Sequence, residues 1–270
     1  MTKLRKLSKY EPTHQDVYLN RREFVKCLGL GSIALSAGVG CQAAVVPPKG
    51  VDAALRPGID REDILKLYPA SRNAKFKLTA ALTDERIAST YNNFYEFDAS
   101  DKGNVWKLAQ AFDPDPWTIE VSGLCHKPRK FDIDALYKFP LEERTYHFRC
   151  VEAWSMNVPW TGFELNQLLK AVEPKSDAKF VRFTCVNRPE QMPGIQGQPW
   201  FPWPYFEGLR MDEAMHELTM MVTGIYGKPL PRQFGAPCRI IVPWKYGYKS
   251  PKSIVKIELL ADQPKPAFPI

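Results

Sequence analysis

Short stretches of alternating or continuously apolar residues, each closed by a turn residue, recur along this chain. "WTIEVSG" (117–123), "RTYHFRCV" (144–151), "KFVRFTCV" (179–186), "LTMMVTGIY" (218–226), "CRIIVP" (238–243) and "SIVKIELL" (253–260) have the period or the length of strands. Three segments read as helix. "FELNQLLKAV" (163–172) puts Phe163, Leu165, Leu168 and Leu169 on one side, "DIDALYKFP" (132–140) is a short helix stopped by Pro140, and "MDEAM" (211–215) suits one turn. "TYNNFYEF" (90–97), with its paired asparagines, reads as a loop rather than a core element. Strands and helices intermingle without regular alternation, which predicts an α+β domain with a mixed sheet, short helices and long functional loops. No G-x-G-x-x-G follows a strand, which argues against a Rossmann dinucleotide site.

The N-terminus has a different pattern. "YLNRREFVKCLGLGSIALSAGVGCQAA" sets Arg21-Arg22 before Phe24, Val25 and Lys26, then runs through a weakly apolar stretch of small residues. That order reads as a twin-arginine export signal over 1–43, and the apolar run is too short and too Gly-rich to span a membrane. Simple cleavage near Cys41-Gln42-Ala43 is preferred to lipid attachment at Cys41. Residues 44–84, rich in proline and charge, read as a linker with one short helix near 60–68, and 85–270 as the functional domain. The expected location is the periplasm, reached in a folded state.

The leader also accounts for most of the charge. Residues 1–43 hold seven Lys/Arg against three Asp/Glu, so only +3 of the net +7 stays with the remainder. Composition therefore gives little support for nucleic-acid binding. Proline, 24 of 270 against a typical ~5%, fits many loops. Cys125, Cys150, Cys185 and Cys238 follow the leader, with no C-x-x-C and only scattered histidines, so no zinc pattern is present. Two disulfides are conceivable in an oxidising compartment, but free, buried thiols are the expectation for Cys125, Cys185 and Cys238.

Two constellations carry candidate chemistry. In "FRCVEAWSM" (148–156), Cys150 is either a buried structural thiol or a metal-binding thiolate. On a strand Arg149 would point to the opposite face, whereas Glu152 would share the face of Cys150 if the strand continued. Thiolate and carboxylate together require a nearby cation. The second constellation is 227–255, where Lys228, Arg232, Arg239, Lys245, Lys249 and Lys252 alternate with turn residues. It is either a solvated basic face or an anion site, most naturally for a phosphate. A cofactor that offers both a metal and a phosphate would unite the two.

"YNNFYEF", "FPLEERTYHFRCVEAWSMNVPWTGFEL", "PEQMPG", "YFEGLRMDEAMHELTMM" and "YGKPLPRQFGAPCRIIVPWKYGYKSPKSIV" resemble the sulfite-oxidase-fold molybdopterin family, in particular the catalytic subunits of periplasmic protein-methionine-sulfoxide reductases. The resemblance covers about 85–262 and implies a sulfite-oxidase-type domain binding one Mo-molybdopterin without a nucleotide. It implies Cys150 as the molybdenum ligand, Glu152 and Trp154 beside the metal, and Asn92, Tyr95 and Glu96 as cofactor contacts. Arg239 with Ser250, Pro251 and Lys252 would hold the phosphate. Two positions depart from the pattern: Cys185 (or Thr184, shifted by one) stands for a threonine and Phe234 for a polar residue. The chain ends at Ile270, short of the further C-terminal segment the resemblance implies. The implied activity is oxygen-atom transfer from methionine sulfoxide residues of oxidised periplasmic proteins, with a haem-containing membrane subunit as electron donor. The competing expectations are a sulfite dehydrogenase and a non-enzymatic exported anion-binding module.

Overall fold

A computed structural model of the chain describes residues 50–265; the expected export leader lies outside the described residues. The strands are β1 (Thr118–Gly123), β2 (Arg129–Asp132), β3 (Glu142–Arg149), β4 (Ser155–Glu164), β5 (Phe180–Cys185), β6 (Phe206–Arg210), β7 (Met220–Ile225), β8 (Lys228–Pro229), β9 (Arg239–Ile241) and β10 (Ile254–Leu260). They form two sheets. One has the order β2-β1-β10-β5-β6, and the other β3-β4-β7-β8 with β9 also paired to β7. The β1–β10 pair is parallel and the other pairs are antiparallel, so the expected mixed sheet is present.

Alternation along the strands produces the two cores. Ile119 and Val121 of β1, Val181 and Phe183 of β5, and Ile257 and Leu259 of β10 bury one face of the first sheet. The helix Leu165–Ala171 covers them with Leu165, Leu168 and Leu169. Tyr146 and Phe148 of β3, Val158 and Trp160 of β4, and Met220 and Val222 of β7 form a second cluster against the other sheet.

Three expectations need correction. Phe163 and Glu164, expected at the start of a helix, are the last residues of β4. Phe163 stacks on Phe139 at 4.4 Å in that extended conformation, and the helix begins only at Leu165. Gly162 makes this strand possible: a Cβ there would lie 2.1 Å from the Met221 carbonyl oxygen on β7. The loop 90–97 is a loop, but it delivers Phe94 and Phe97 into the main core. The segment 50–84, expected as a linker, packs onto the domain. Ile59 and Ile64 join the main core, and Arg72 pairs with Glu143 beside β3. Its short helix, Glu62–Leu65, falls where the sequence placed one.

Candidate active site

The loop 91–98, the β3–β4 hairpin and the segment 233–252 enclose a cavity of about 480 Å³. Cys150 reaches it from the tip of the hairpin. Strand β3 ends at Arg149, so a turn rather than a strand sets the neighbours of the thiol. Cys150 N–H donates to Trp154 O (2.9 Å), Ala153 N–H donates to Cys150 O (3.2 Å), and Ala153 takes φ 66° to close the loop. The thiol is buried, and Asn93 Nδ2 donates to its sulfur at 3.7 Å.

That turn also brings Glu152 round to the same cavity. The Tyr95 hydroxyl donates to Glu152 Oε1 (2.9 Å), and Lys102 Nζ lies 3.3 Å from the same oxygen and over the Tyr95 ring at 5.2 Å. Partial burial pushes the Glu152 carboxyl up, but the Tyr95 bond and Lys102 outweigh it, and the net shift is downward. Lys102 is thus the cation that lets a carboxylate sit beside the thiol. No local sequence signal links it to Glu152, fifty positions on.

The structure sorts the six basic residues of 227–255 into two groups. Lys228 pairs with Glu85, Lys245 with Glu213 and Lys249 with Glu207, each at 2.6 Å, while Arg232 Nε donates to the Phe112 carbonyl at 2.7 Å. Those four hold the fold. Arg239 and Lys252 line the cavity, and no carboxylate among the described residues lies within ion-pair distance of either. Arg239 is 3% exposed, and burial drives its pKa down. Burial, and then Arg239 itself, lowers Lys252; burial pushes its neighbour Glu96 up, which Lys252 only partly offsets. Two adjacent cations in a dry wall with no adequate counter-charge call for an anion.

Backbone geometry brings these cations together. Arg239 Nη1 donates to Phe234 O and Nη2 to Ser250 O, both at 3.0 Å, and Arg239 bridges to Lys252 across the two segments. Ser250 Oγ accepts from Val242 N–H (3.2 Å), which leaves its own proton to donate into the cavity. Gly235, at φ +97°, permits the close approach: a Cβ would stand 2.5 Å from Lys252 Cβ. Gly235→Ala is therefore expected to cost roughly 1–3 kcal/mol in stability and to displace Lys252, lowering both melting temperature and anion affinity. Thermal denaturation with and without phosphate checks both effects.

Most of the expected site residues meet here: Asn92, Tyr95, Glu96, Cys150, Glu152, Trp154, Phe234, Arg239, Ser250, Pro251 and Lys252 all line the cavity. Phe234 does so as an apolar wall, edge-on to Trp160 at 6.3 Å, and its polar contribution is the carbonyl that holds Arg239. Cys185 is not among the residues that line the cavity; it is buried at the end of β5, where burial raises its thiol well above its ordinary pKa, and its N–H donates to Tyr205 O. Thr184 does not reach the cavity either. Sequence reading missed Asn93, Lys102, Trp160 and Gln233. Cys125, Cys185 and Cys238 are free and buried, as expected, and Cys150 is free and buried too.

Comparison with known proteins now bears on this cavity. Residues 106–268 match the family described as the oxidoreductase molybdopterin binding domain. The chain belongs to that family. It is 44% identical over 259 residues to the protein-methionine-sulfoxide reductase catalytic subunit MsrP of Xanthomonas axonopodis pv. citri, covering 96% of this chain and 75% of that protein. It is likewise 44% identical over 255 residues to MsrP of Burkholderia mallei, covering 94% and 73%. In fold it is similar to the sulfane dehydrogenase SoxCD from Paracoccus pantotrophus, with TM-score 0.52 at 15% identity, over 85% of this chain and 57% of that one. The molybdopterin-binding match begins after the loop 91–98, so Asn92, Tyr95 and Glu96 come from a segment N-terminal to it.

The residues present fit a molybdenum–molybdopterin group. Among the residues that line the cavity, Arg239 Nε, Trp154 Nε1 and Trp160 Nε1 are buried donors without a partner, and Asn92 Oδ1 and Gln233 Oε1 are buried acceptors without one. A wall with this many unsatisfied polar atoms and two buried cations suits a polar, anionic occupant. Cys150 supplies the soft ligand that such a metal takes.

Proposed function

We propose that this chain is the catalytic component of a molybdenum-dependent reductase that returns methionine sulfoxide residues of proteins to methionine. It would act in the periplasm after export by the twin-arginine route, with electrons delivered by a separate haem-containing membrane subunit. One observation carries the reading: a buried thiol, Cys150, shares a cavity with Arg239 and Lys252, two buried cations with no carboxylate at ion-pair distance among the described residues. The bound molybdenum centre supplies oxygen-atom transfer, so that the sulfoxide S–O bond breaks, two electrons and two protons are taken up, and thioether and water are released.

The protein's part is to hold and to orient. Cys150 anchors the metal on a hairpin tip whose shape depends on main-chain bonds. Arg239, Lys252 and Ser250 clamp the phosphate. Tyr95, Glu152 and Lys102 form a bonded group on the wall beside the thiol. Val151, 61% exposed, adjoins Cys150, and the half-exposed Tyr91 and Tyr246 stand at the mouth, so a methionine sulfoxide carried on a polypeptide can reach the site.

Protein made in a host that synthesises the cofactor is expected to carry about one molybdenum and one pterin per chain. It should oxidise a reduced dye when a sulfoxide-containing protein is added. Dye reduction by sulfite on the same preparation would mark a sulfite dehydrogenase instead. Well-folded protein with neither metal nor pterin would leave an anion-binding module and defeat the enzyme reading.

A further inference from the structure

Large hydrophobic side chains left in water are not spread evenly over this protein. Trp200, 74% exposed, is the most exposed of them among the described residues, and Val151, Tyr246 and Tyr91 are three others. Those three line the cavity. Trp200 stands one residue outside it: its ring meets the ring of Phe201 edge-on at 6.0 Å, and Phe201 lines the cavity. A single exposed tryptophan is ordinary, but exposed apolar side chains gathered at the mouth of one cavity mark a contact surface.

The segment that carries Trp200 is built to stay in place. "QPWFPWPYF" (198–206) sets Pro199, Pro202 and Pro204 between aromatic residues. Each proline fixes its φ and removes a backbone donor, so few alternative conformations remain. Gln198 ties the start of the segment to the loop 91–98, its Nε2 donating to Tyr95 O at 3.2 Å. The Gln198 carbonyl accepts from Trp203 Nε1 (3.0 Å) and from Phe201 N–H (3.1 Å), and the Phe201 and Trp203 rings pack at 4.5 Å. Rigid aromatic side chains lose little entropy when they are covered, which suits them to recognition. Residues 191–206 contain no Asp, Glu, Lys or Arg, so the surface suits an apolar partner rather than a charged one.

We propose that Trp200 holds the substrate polypeptide beside its methionine sulfoxide, by packing on an apolar side chain that flanks it in an extended segment. This rests on the reading above that the sulfoxide is carried on a polypeptide, and it adds a selection for sequence context. Trp200 is not part of the cavity wall, so its contact is with the flank and not with the sulfoxide that enters. Successive side chains of an extended segment point in opposite directions about 3.3 Å apart, so when one is inside the cavity its neighbours lie along the rim.

The test compares wild type, Trp200→Phe and Trp200→Ala as molybdenum-loaded enzymes. The substrates are a short peptide with methionine sulfoxide between leucines, the same peptide with serines in their place, and free methionine sulfoxide. The quantity read is kcat/KM for each peptide divided by kcat/KM for free methionine sulfoxide, a ratio in which differences in cofactor loading cancel. Wild type should prefer the leucine peptide. In Trp200→Ala the leucine-peptide ratio should fall about tenfold, through KM rather than kcat, while Trp200→Phe, which keeps an aromatic face, should hold most of it. Binding is read separately by fluorescence anisotropy of a labelled product peptide, with methionine between leucines. It should bind oxidised wild type about tenfold more tightly than oxidised Trp200→Ala. A leucine-peptide ratio or a product affinity unchanged in Trp200→Ala would overturn the proposal. So would an equal fall for the serine peptide, since the flanking side chain would then not be what Trp200 holds. A wild type that reduces free methionine sulfoxide but does not distinguish the peptides would sink this inference and leave the reductase reading standing. A wild type that reduces none of the substrates would defeat the reductase reading, and this inference with it.

Discussion

Replacing Cys150 with alanine is expected to give a folded protein that carries no molybdenum and shows no sulfoxide reduction above background. The argument is local. The hairpin tip is closed by Cys150 N–H to Trp154 O and by Ala153 N–H to Cys150 O, bonds that alanine makes equally well. Among the described residues the sulfur accepts a weak hydrogen bond from the Asn93 amide at 3.7 Å, and the packing lost is that of a single small group. The stability cost should be about 1 kcal/mol, small against the total for a domain of this size. Metal content should fall to zero because among the described residues no group of three or more His, Cys, Asp or Glu could hold an ion in its place. Circular dichroism and metal analysis on one preparation separate the two effects. Metal retained by Cys150→Ala would remove Cys150 from the role given to it here.

What the sequence revealed follows from how local each signal is. Strands that alternate over most of their length, such as β1, β5 and β10, were legible because a buried face writes itself into closely spaced residues. Strand β4 was not, since Pro159 and Gly162 both argue against a strand when read alone. Its existence depends on β7: Gly162 is there because the Met221 carbonyl comes so close, and Pro159 pairs with Thr145 at a position where the sheet tolerates it. The same limit divides the site. Cys150 and the cluster 227–255 announced themselves by residue type and density. Which of the six cations serve the cavity could not be read, because the carboxylates that remove Lys228, Lys245 and Lys249 from contention are Glu85, Glu213 and Glu207, far away in sequence. Lys102 and Gln233 were hidden for the same reason. Cys185 was placed at the cofactor by its position in a motif; it lies buried at the end of β5 and is not among the residues that line the cavity.

Arg239→Met should move the cofactor-free and loaded proteins in different ways, and that separates a binding charge from a structural one. In the cofactor-free protein Arg239 is a buried cation beside a second cation, Lys252, and exchanging such a charge for an apolar side chain commonly gains about 1–4 kcal/mol. Against this stand the Phe234 and Ser250 carbonyls, which lose their donors at a cost of roughly 1–3 kcal/mol. The two nearly cancel, so the melting temperature without cofactor should change little. Affinity for the phosphate should drop by roughly 2–5 kcal/mol, or two orders of magnitude and more, because a charge-assisted buried contact is gone. A merely structural arginine would lower both quantities together. The pH dependence carries the same signature. Burial, and then Arg239, lowers Lys252 to about 8, against 10.5 when unfolded. At this site the unfolded chain binds more protons than the folded one between those values, so Lys252 contributes a gain in stability as pH rises from about 8 toward 10. Cys125, Cys185 and Cys238 contribute a loss over the same range, because burial raises their thiols and they keep protons that unfolded thiols release. At higher pH Tyr95, which burial raises to about 12, adds to that loss. Bound phosphate should abolish the Lys252 contribution, because an anion at this position keeps Lys252 charged. In Arg239→Met the Lys252 contribution should move to higher pH, since the neighbouring cation that depresses Lys252 has been removed.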